Sequence, residues 1–140
     1  MRIALGTDER APVVDHVRDV LARSGHEVVT VADGIDWPDA GREVGRAVAE
    51  GRADAGVVFC TTGTGVAMAA NKVPGVRAAL CTDAATAAGA RRWNDANVLA
   101  AGICLTTPAV AEEMVDAFLS TPFDEEEAGL VARLEGPDPA

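Results

Sequence analysis

Short runs of β-branched and other apolar residues alternate along the chain with longer segments whose apolar residues recur at helical spacing. The short runs predict strands, and the longer segments predict amphipathic helices. Strands are expected at residues 2–6, 27–32, 56–60, 77–81 and 97–105, and helices at 12–24, 36–51, 66–72, 83–93 and 107–121. Because the two kinds of element alternate, we predict an α/β protein, a three-layer sandwich with a five-stranded parallel sheet.

The chain has 140 residues, a length that suits one domain with a single core. Residues 1–123 contain all the predicted strands and are expected to form this domain. Residues 124–140 are an acidic C-terminal tail in which six acidic side chains accompany only Arg133. Within the tail, GLVARLEG predicts a short helix, and the final GPDPA predicts coil.

Charge and composition exclude several classes of partner. A formal net charge of -10 argues against nucleic acid. The chain has no run of about 18 apolar residues that would predict a membrane helix, and its start, MRIALGTDER, becomes charged too early for a secretory signal. The three cysteines are odd in number and lack metal-ligand spacing. We therefore expect a reduced, cytoplasmic protein with neither a disulfide framework nor a metal site.

The stretch VVFCTTGTGVAMAAN, residues 57–71, holds the most informative chemistry. Gly63 and Gly65 allow successive amides at a helix start to point at one anion. The loop lacks the lysine and the glycine order of nucleotide-binding motifs. Cys60 ends the strand at this helix start, where the helix dipole and N–H donors stabilise a thiolate. A small buried core residue fits Cys60 equally well at this stage.

Other polar positions are less specific. Asp8 follows the first predicted strand, where its carboxylate can accept hydrogen bonds from sugar hydroxyls, although a surface-turn aspartate also fits. The segment RRWNDAN, residues 91–97, lies before the fifth strand and hence at the opposite end of the sheet. It can reach the other clusters only through the helix before it or from another subunit. Cys81 and Cys104 lack a glycine loop and are expected in the core.

Four segments together resemble the family of type B ribose-5-phosphate isomerases and galactose-6-phosphate isomerase subunits, over Met1 to about Phe123. They are RIALGTDE, AVAEGRADAGVVFCTTGTGVAMAANKVPGVRAALCTD, NDANVLAAG and VDAFLSTPF. The resemblance implies a Rossmann-like (flavodoxin-like) fold and an aldose-ketose isomerase that needs no metal or organic cofactor. It also implies a homodimer whose active sites draw residues from both subunits, or a tetramer built from two such dimers.

The resemblance also implies roles for individual residues. Cys60 is expected to be the base that moves a proton between C1 and C2 of an open-chain sugar through a cis-enediolate, with Thr62 beside the sugar. The anion-hole and substrate-binding residues that it implies are Asp8, Gly63, Thr64, Gly65, Val66, Asn71 and Asn94. The two asparagines are expected either to contact the ligand or to order the loops.

The chain departs from the family where the family opens the sugar ring and binds phosphate. Glu9 and Trp93 stand in place of family histidines, and Cys104 stands in place of an arginine. The phosphate-binding arginines near the C-terminus align with Glu127, Leu130 and Val131. Arg10, Arg91 and Arg92 are the candidates to replace them, and Trp93 can either stack on a sugar or fill an interface.

Three functional hypotheses follow. The first is an aldose-ketose isomerase of a pentose, a hexose or a derivative, with altered or absent phosphate recognition. The alternative is a catalytically inactive sugar-binding or regulatory subunit with the same fold, against which the retained Cys60, Thr62 and Asp8 argue. A nucleotide-binding module is disfavoured because the phosphate-binding lysine is missing.

Overall fold

A computed structural model describes residues 1–136 as a five-stranded, entirely parallel sheet with helices on both faces. The strands are β1 (Arg2–Thr7), β2 (Glu27–Asp33), β3 (Ala55–Cys60), β4 (Ala78–Leu80) and β5 (Val98–Gly102). The helices are α1 (Pro12–Arg23), α2 (Trp37–Ala49), α3 (Thr64–Asn71), α4 (Ala84–Asn94), α5 (Pro108–Ser120) and α6 (Ala128–Ala132). The predicted Rossmann-like α/β sandwich is confirmed.

The strands lie in the order β2-β1-β3-β5-β4. From β1 the chain moves to one side for β2 and then crosses to the other side for β3. The strand order therefore reverses between β1 and β3, and the loops that leave these two strands diverge. In open parallel sheets this is the place where a ligand-binding crevice forms, outside the carboxyl ends of the strands.

Each face of the sheet has its own apolar layer. Because successive strand side chains point to opposite faces, Val57 and Phe59 pack with α1, α4 and α5, whereas Val58 and Cys60 pack with α2 and α3. Phe59 is 1% exposed and Val58 is 0% exposed, so β3 is buried on both faces, as a central parallel strand should be. The end of β3 is thus held in a rigid part of the molecule.

Two strands are shorter than the sequence indicates. β5 was expected to reach residue 105 but ends at Gly102, because the backbone turns there and the Leu105 N–H donates to the Gly102 carbonyl at 3.2 Å. β4 was expected to begin at residue 77, but the Arg77 N–H donates to the Asn97 side-chain oxygen at 2.8 Å. In both cases the regular strand pairing stops at these residues.

The acidic tail folds back as short helical turns. A 3-10 turn (Glu125–Glu127) precedes α6, and a second one (Arg133–Glu135) follows it. The Asp124 N–H donates to the Arg92 carbonyl at 2.9 Å, which ties the start of the tail to the end of α4. The coil predicted for the last residues falls mainly on 137–140, outside the described part of the chain. Within residues 1–136, no helix has the length and apolar character needed to cross a membrane.

Candidate active site

A cleft of about 410 Å³ opens at the carboxyl edge of the sheet, at the point where the strand order reverses. Its lining residues come from the ends of β1 and β3 and from the starts of α2 and α3. They are Asp8, Trp37, Cys60, Thr61, Thr62, Thr64, Gly65 and Met68. The structure therefore brings together five of the residues that the sequence singles out, namely Asp8, Cys60, Thr62, Thr64 and Gly65.

Cys60 is the last residue of β3, and its side chain is packed on the α2 and α3 side of the sheet while still lining the cleft. It is 5% exposed. The other two cysteines have different surroundings. Cys81 is buried, as expected, and burial followed by the nearby Asp83 raises the pKa of its thiol to about 11. Cys104 was expected in the core but is exposed, because β5 ends two residues before it.

The loop after Cys60 has a conformation that only glycine suits. Gly63 is the N-cap of α3 with φ of 78°, in the left-handed region. A Cβ atom there would also lie 2.6 Å from the Leu80 side chain and 2.7 Å from the Ala101 backbone. A Cβ atom at Gly65 would lie 2.8 Å from the ring of Trp37. Both glycines therefore allow the loop to sit close to its neighbours.

The N-terminus of α3 faces the cleft without a side-chain cap. The first bond of the helix runs from the Ala67 N–H to the Gly63 carbonyl at 3.2 Å, and no side chain in the described chain caps the helix. The N–H groups of Thr64, Gly65 and Val66 are the ones that an α-helix leaves without an intrahelical acceptor. Val66 itself is buried and can contribute only through its backbone. This arrangement can hold a negatively charged oxygen.

Two hydroxyls stand beside these amides. The side-chain oxygens of Thr62 and Thr64 are 2.8 Å apart and share a hydrogen bond, and both side chains line the cleft. One hydroxyl of such a pair can donate to a ligand while it accepts from the other. The pair therefore adds one directed donor to the row of amides.

Asp8 provides a carboxylate on the β1 side of the cleft. Its Oδ1 atom is buried and has no hydrogen-bond partner within residues 1–136. Desolvation by burial is the main cause that raises the pKa of Asp8 above its ordinary value, and the charges of Glu9 and Asp36 add to it. A buried acceptor without a partner is costly. A ligand hydroxyl that enters the cleft can donate to it.

The comparisons with known proteins identify the family of the chain. The family model described as Ribose/Galactose Isomerase matches residues 3–134. The chain belongs to the ribose/galactose isomerase family. It is accordingly a sugar isomerase, an intramolecular oxidoreductase.

Three members of the ribose/galactose isomerase family illustrate the similarity. The galactose-6-phosphate isomerase subunit LacB of Clostridium acetobutylicum is 36% identical over 128 residues, 88% of this chain and 74% of that protein. Ribose-5-phosphate isomerase B of Escherichia coli is 34% identical over 128 residues, 88% of this chain and 86% of that protein. The structure of Clostridium thermocellum ribose-5-phosphate isomerase B superposes with a TM-score of 0.90 at 36% identity, covering 96% of this chain and 95% of that one.

Neither of the two asparagines implied by the resemblance lines the cleft, although Asn71 lines an adjoining depression with Thr64 and Met68. The Asn71 amide donates to the Ala78 carbonyl at 2.9 Å, and its oxygen accepts from the Ala78 N–H at 2.8 Å. Asn71 therefore joins the end of α3 to the start of β4, the loop-ordering arrangement. Asn94 is the last residue of α4. Because α4 begins just after β4, its end lies at the opposite edge of the sheet from Cys60.

The arginines proposed as substitutes for the family's phosphate ligands have other contacts. Arg91 donates to the Asp95 carboxylate at 3.1 Å, and its guanidinium lies 5.8 Å from the centre of the Phe118 ring. Arg92 lies 5.9 Å from the centre of the Trp93 ring. Both belong to the end of α4, far from the cleft within one subunit. Arg10 is at the cleft edge of the sheet, where it donates to Asp33 at 3.3 Å.

Sequence reasoning missed two residues of the cleft, Trp37 and Met68. Trp37 begins α2 and is 46% exposed, and Met68 is 64% exposed on α3. Because both side chains line the cleft and are exposed, they are available to contact a ligand. The signal in the sequence was a tryptophan at the start of a helix that follows a strand, since helix starts and strand ends share one edge of the sheet.

Proposed function

We propose that the cleft catalyses an aldose-ketose isomerisation in which Cys60 moves a proton between C1 and C2 of an open-chain sugar through a cis-enediolate. One observation carries this proposal. A cysteine side chain, a carboxylate with one buried oxygen that has no hydrogen-bond partner within residues 1–136, and an uncapped helix N-terminus converge on a single cleft. Proton abstraction beside a carbonyl needs a base together with fixed dipoles at the point where negative charge develops.

The amides of the α3 N-terminus would stabilise the enediolate. Gly63 sets the turn, and the N–H groups of Thr64, Gly65 and Val66 point towards the charge that develops on the sugar oxygens. The hydroxyl of Thr62 would add a further donor. Asp8 would accept hydrogen bonds from sugar hydroxyls, which fits its buried oxygen that has no partner.

The active site is proposed to be shared between two copies of the chain. Asn94 and Trp93 lie at the edge of the sheet opposite Cys60, so they can approach a catalytic cleft only if it belongs to another subunit. Trp93 is 53% exposed and so is available for such a contact. A homodimer in which α4 of one subunit reaches the cleft of the other would complete the site.

The substrate is proposed to be a pentose, a hexose or a derivative whose phosphate, if present, is bound differently from that of the relatives. Galactose 6-phosphate and ribose 5-phosphate appear in the names of two relatives. In this chain the positions at which the resemblance implies arginines hold an exposed cysteine, Cys104, and Glu127, Leu130 and Val131, and Glu127 ends the acidic 3-10 turn. Carboxylates repel a phosphate, and neutral side chains cannot replace bidentate guanidinium contacts.

Exchange of substrate hydrogen with solvent tests the proposal. The protein would be incubated in D2O with a panel of pentoses, hexoses, uronic acids and their phosphates, and deuterium at C1 and C2 would be followed by NMR. We expect exchange with at least one sugar and its loss in Cys60→Ser. Binding without exchange for every sugar would contradict the proposal and favour an inactive sugar-binding subunit. Exchange that persists in Cys60→Ser would remove Cys60 from the role of base.

A further inference from the structure

A second depression adjoins the catalytic cleft on the outer side of α2 and α3. This α2/α3 groove has a volume of about 400 Å³. Trp37 and Met68 line both the groove and the cleft. A ligand whose reacting carbons lie at Cys60 can therefore extend across Met68 into the groove without leaving the protein surface.

Three basic side chains line the groove: Arg42, Arg46 and Lys72. The two arginines are four residues apart on α2 and so lie on the same face of the helix. Lys72 follows the end of α3 and approaches from the other wall. The chain as a whole has a formal charge of -10 and only 12 basic residues. Three of those residues around one groove make a local positive site on an acidic protein.

The basic groups of the groove are available to a ligand. Arg42 pairs with Asp39 at 3.0 Å, and Arg46 approaches Glu43 only at 3.8 Å. Both are solvent-exposed pairs within one helix, which contribute little, and neither acidic residue lines the groove. Lys72 has no ion pair within residues 1–136. An incoming anion can therefore gain charge-assisted hydrogen bonds without breaking a strong interaction.

The cleft and the groove together have two unlike ends. Beside Asp8 lie the carboxylates of Glu9 and Asp36, and the nearby cation, Arg10, is paired with Asp33 at 3.3 Å. At the other end, beyond Trp37, the charges are positive. These charges favour a sugar with an anionic group whose hydroxyls lie towards Asp8 and whose anionic group lies towards Arg42.

We propose that the α2/α3 groove is the subsite for an anionic substituent of the substrate, a phosphate or a carboxylate, bound by Arg42, Arg46 and Lys72. This inference rests on the proposed isomerase function for the direction of the sugar. It gives the chain an anion site at positions different from the arginines that the family resemblance implies. It also predicts that the substrates are sugar phosphates or sugar acids and not neutral sugars.

Binding of inorganic phosphate tests the subsite independently of turnover. Trp93→Phe leaves Trp37, in the wall of the groove, as the only tryptophan, and its fluorescence reports phosphate binding. In this background we expect Arg42→Gln/Arg46→Gln, and separately Lys72→Gln, to weaken phosphate binding by about tenfold or more. The matched control is Arg18→Gln/Arg23→Gln on α1, which removes the same charge elsewhere and is expected to leave phosphate affinity unchanged.

Kinetics on matched sugars separate this inference from the proposed function. For a sugar phosphate or a sugar acid, the groove variants should raise KM by about tenfold or more with little change in kcat. For the neutral parent sugar they should change neither. Undetectable phosphate binding to the parent protein, or equal losses in the groove and control variants, would overturn the subsite. If phosphate binding depends on the groove while no sugar exchanges hydrogen, the subsite stands and the isomerase proposal falls.

Discussion

Two strand-to-helix turns at the same edge of the sheet begin alike and differ in chemistry. β3 ends in Cys60 and leads to α3, whereas β4 is followed by Cys81 and leads to α4. At α3 the N-cap is Gly63, which has no side chain to satisfy the helix amides. At α4 the N-cap is Asp83, whose carboxylate accepts from the Thr86 N–H at 2.7 Å.

The difference shows how one residue separates a site from a structural turn. Asp83 satisfies a helix amide. Burial, with a smaller contribution from the charge of Asp83, raises the pKa of the neighbouring Cys81 thiol to about 11, which keeps that thiol protonated. Gly63 leaves the amides of α3 open towards a cleft that also contains Cys60. A cysteine at a strand end is therefore not enough. The open helix start beside it makes the β3 turn the candidate for catalysis.

The largest difference between the two turns should appear in turnover. Cys60→Ser should lower kcat by roughly 10²–10⁴-fold, because a serine hydroxyl is a much poorer proton acceptor at neutral pH. Cys81→Ser should retain turnover within a few-fold, since Cys81 lies in the core. Both variants would be checked for folding by circular dichroism and assayed on the same substrate. Equal losses in two folded variants would contradict the assignment of the site to the β3 turn.

The next effect should be on stability. Gly63→Ala should lower the free energy of unfolding by about 2–4 kcal/mol, because a left-handed conformation and steric overlap with Leu80 and Ala101 both oppose the new methyl group. The matched control is Gly25→Ala. Gly25 has φ of 85° but nothing within 4 Å of an added Cβ, so only the conformational cost of about 1–2 kcal/mol remains. Urea denaturation measures both, and equal values would show that the loop at Gly63 is not tightly fitted.

Removing the side-chain cap of α4 should lower stability less than Gly63→Ala does, and it should have no effect on catalysis. Asp83→Ala should lower the urea midpoint and leave turnover unchanged. The hydrogen bonds from Thr86 lower the pKa of Asp83 below its ordinary value of 3.8. The stabilisation by Asp83 is therefore present above pH 3.8, and it is lost as the pH falls through the lower pKa that Asp83 has in the folded protein. The difference between parent and variant should shrink on acidification, and a constant difference would exclude a charged cap.

Substitution of Asp8 should have the smallest effect on stability, and it should raise stability where the preceding substitutions lower it. Burial raises the pKa of Asp8, so ionised Asp8 costs stability at neutral pH and this cost disappears as the pH falls towards 3.8. Asp8→Asn should therefore be slightly more stable than the parent protein at pH 7 and similar to it below pH 3.8. It should also turn over more slowly. Lower stability at pH 7 would show that the carboxylate has a structural partner.

Much of this comparison could be read from the sequence. The alternation of apolar patterns predicted the sheet, and the glycine loop after Cys60 predicted an open helix start. The sequence did not reveal Trp37 and Met68, because they reach the cleft through the packing of α2 on α3 and not through a local motif. It also did not reveal that Arg91 is held by Asp95, which depends on a turn where Asp95 has φ of 49°.

The end of β5 and the exposure of Cys104 escaped prediction for a similar reason. Residues 103–105 are apolar enough for a strand, but the regular pairing with β3 ends at Cys60 and Gly102. The Ile103 and Cys104 N–H groups still donate to the Cys60 and Thr61 carbonyls, at 2.8 and 3.0 Å, and the backbone then turns, with the Leu105 N–H donating to the Gly102 carbonyl. Strand length in a sheet depends on the neighbouring strand as well as on local residues. Apolar pattern alone could not indicate where that neighbour stops.

The most direct test of the central claim is deuterium incorporation with the substrate identified from the sugar panel. The parent protein and Cys60→Ser would be compared in D2O at equal concentration, with Cys81→Ser as the matched control. We predict deuterium at C2 of the aldose, or at C1 of the ketose, with the parent protein and with Cys81→Ser, and none above background with Cys60→Ser. Equal incorporation by parent and Cys60→Ser would contradict the account.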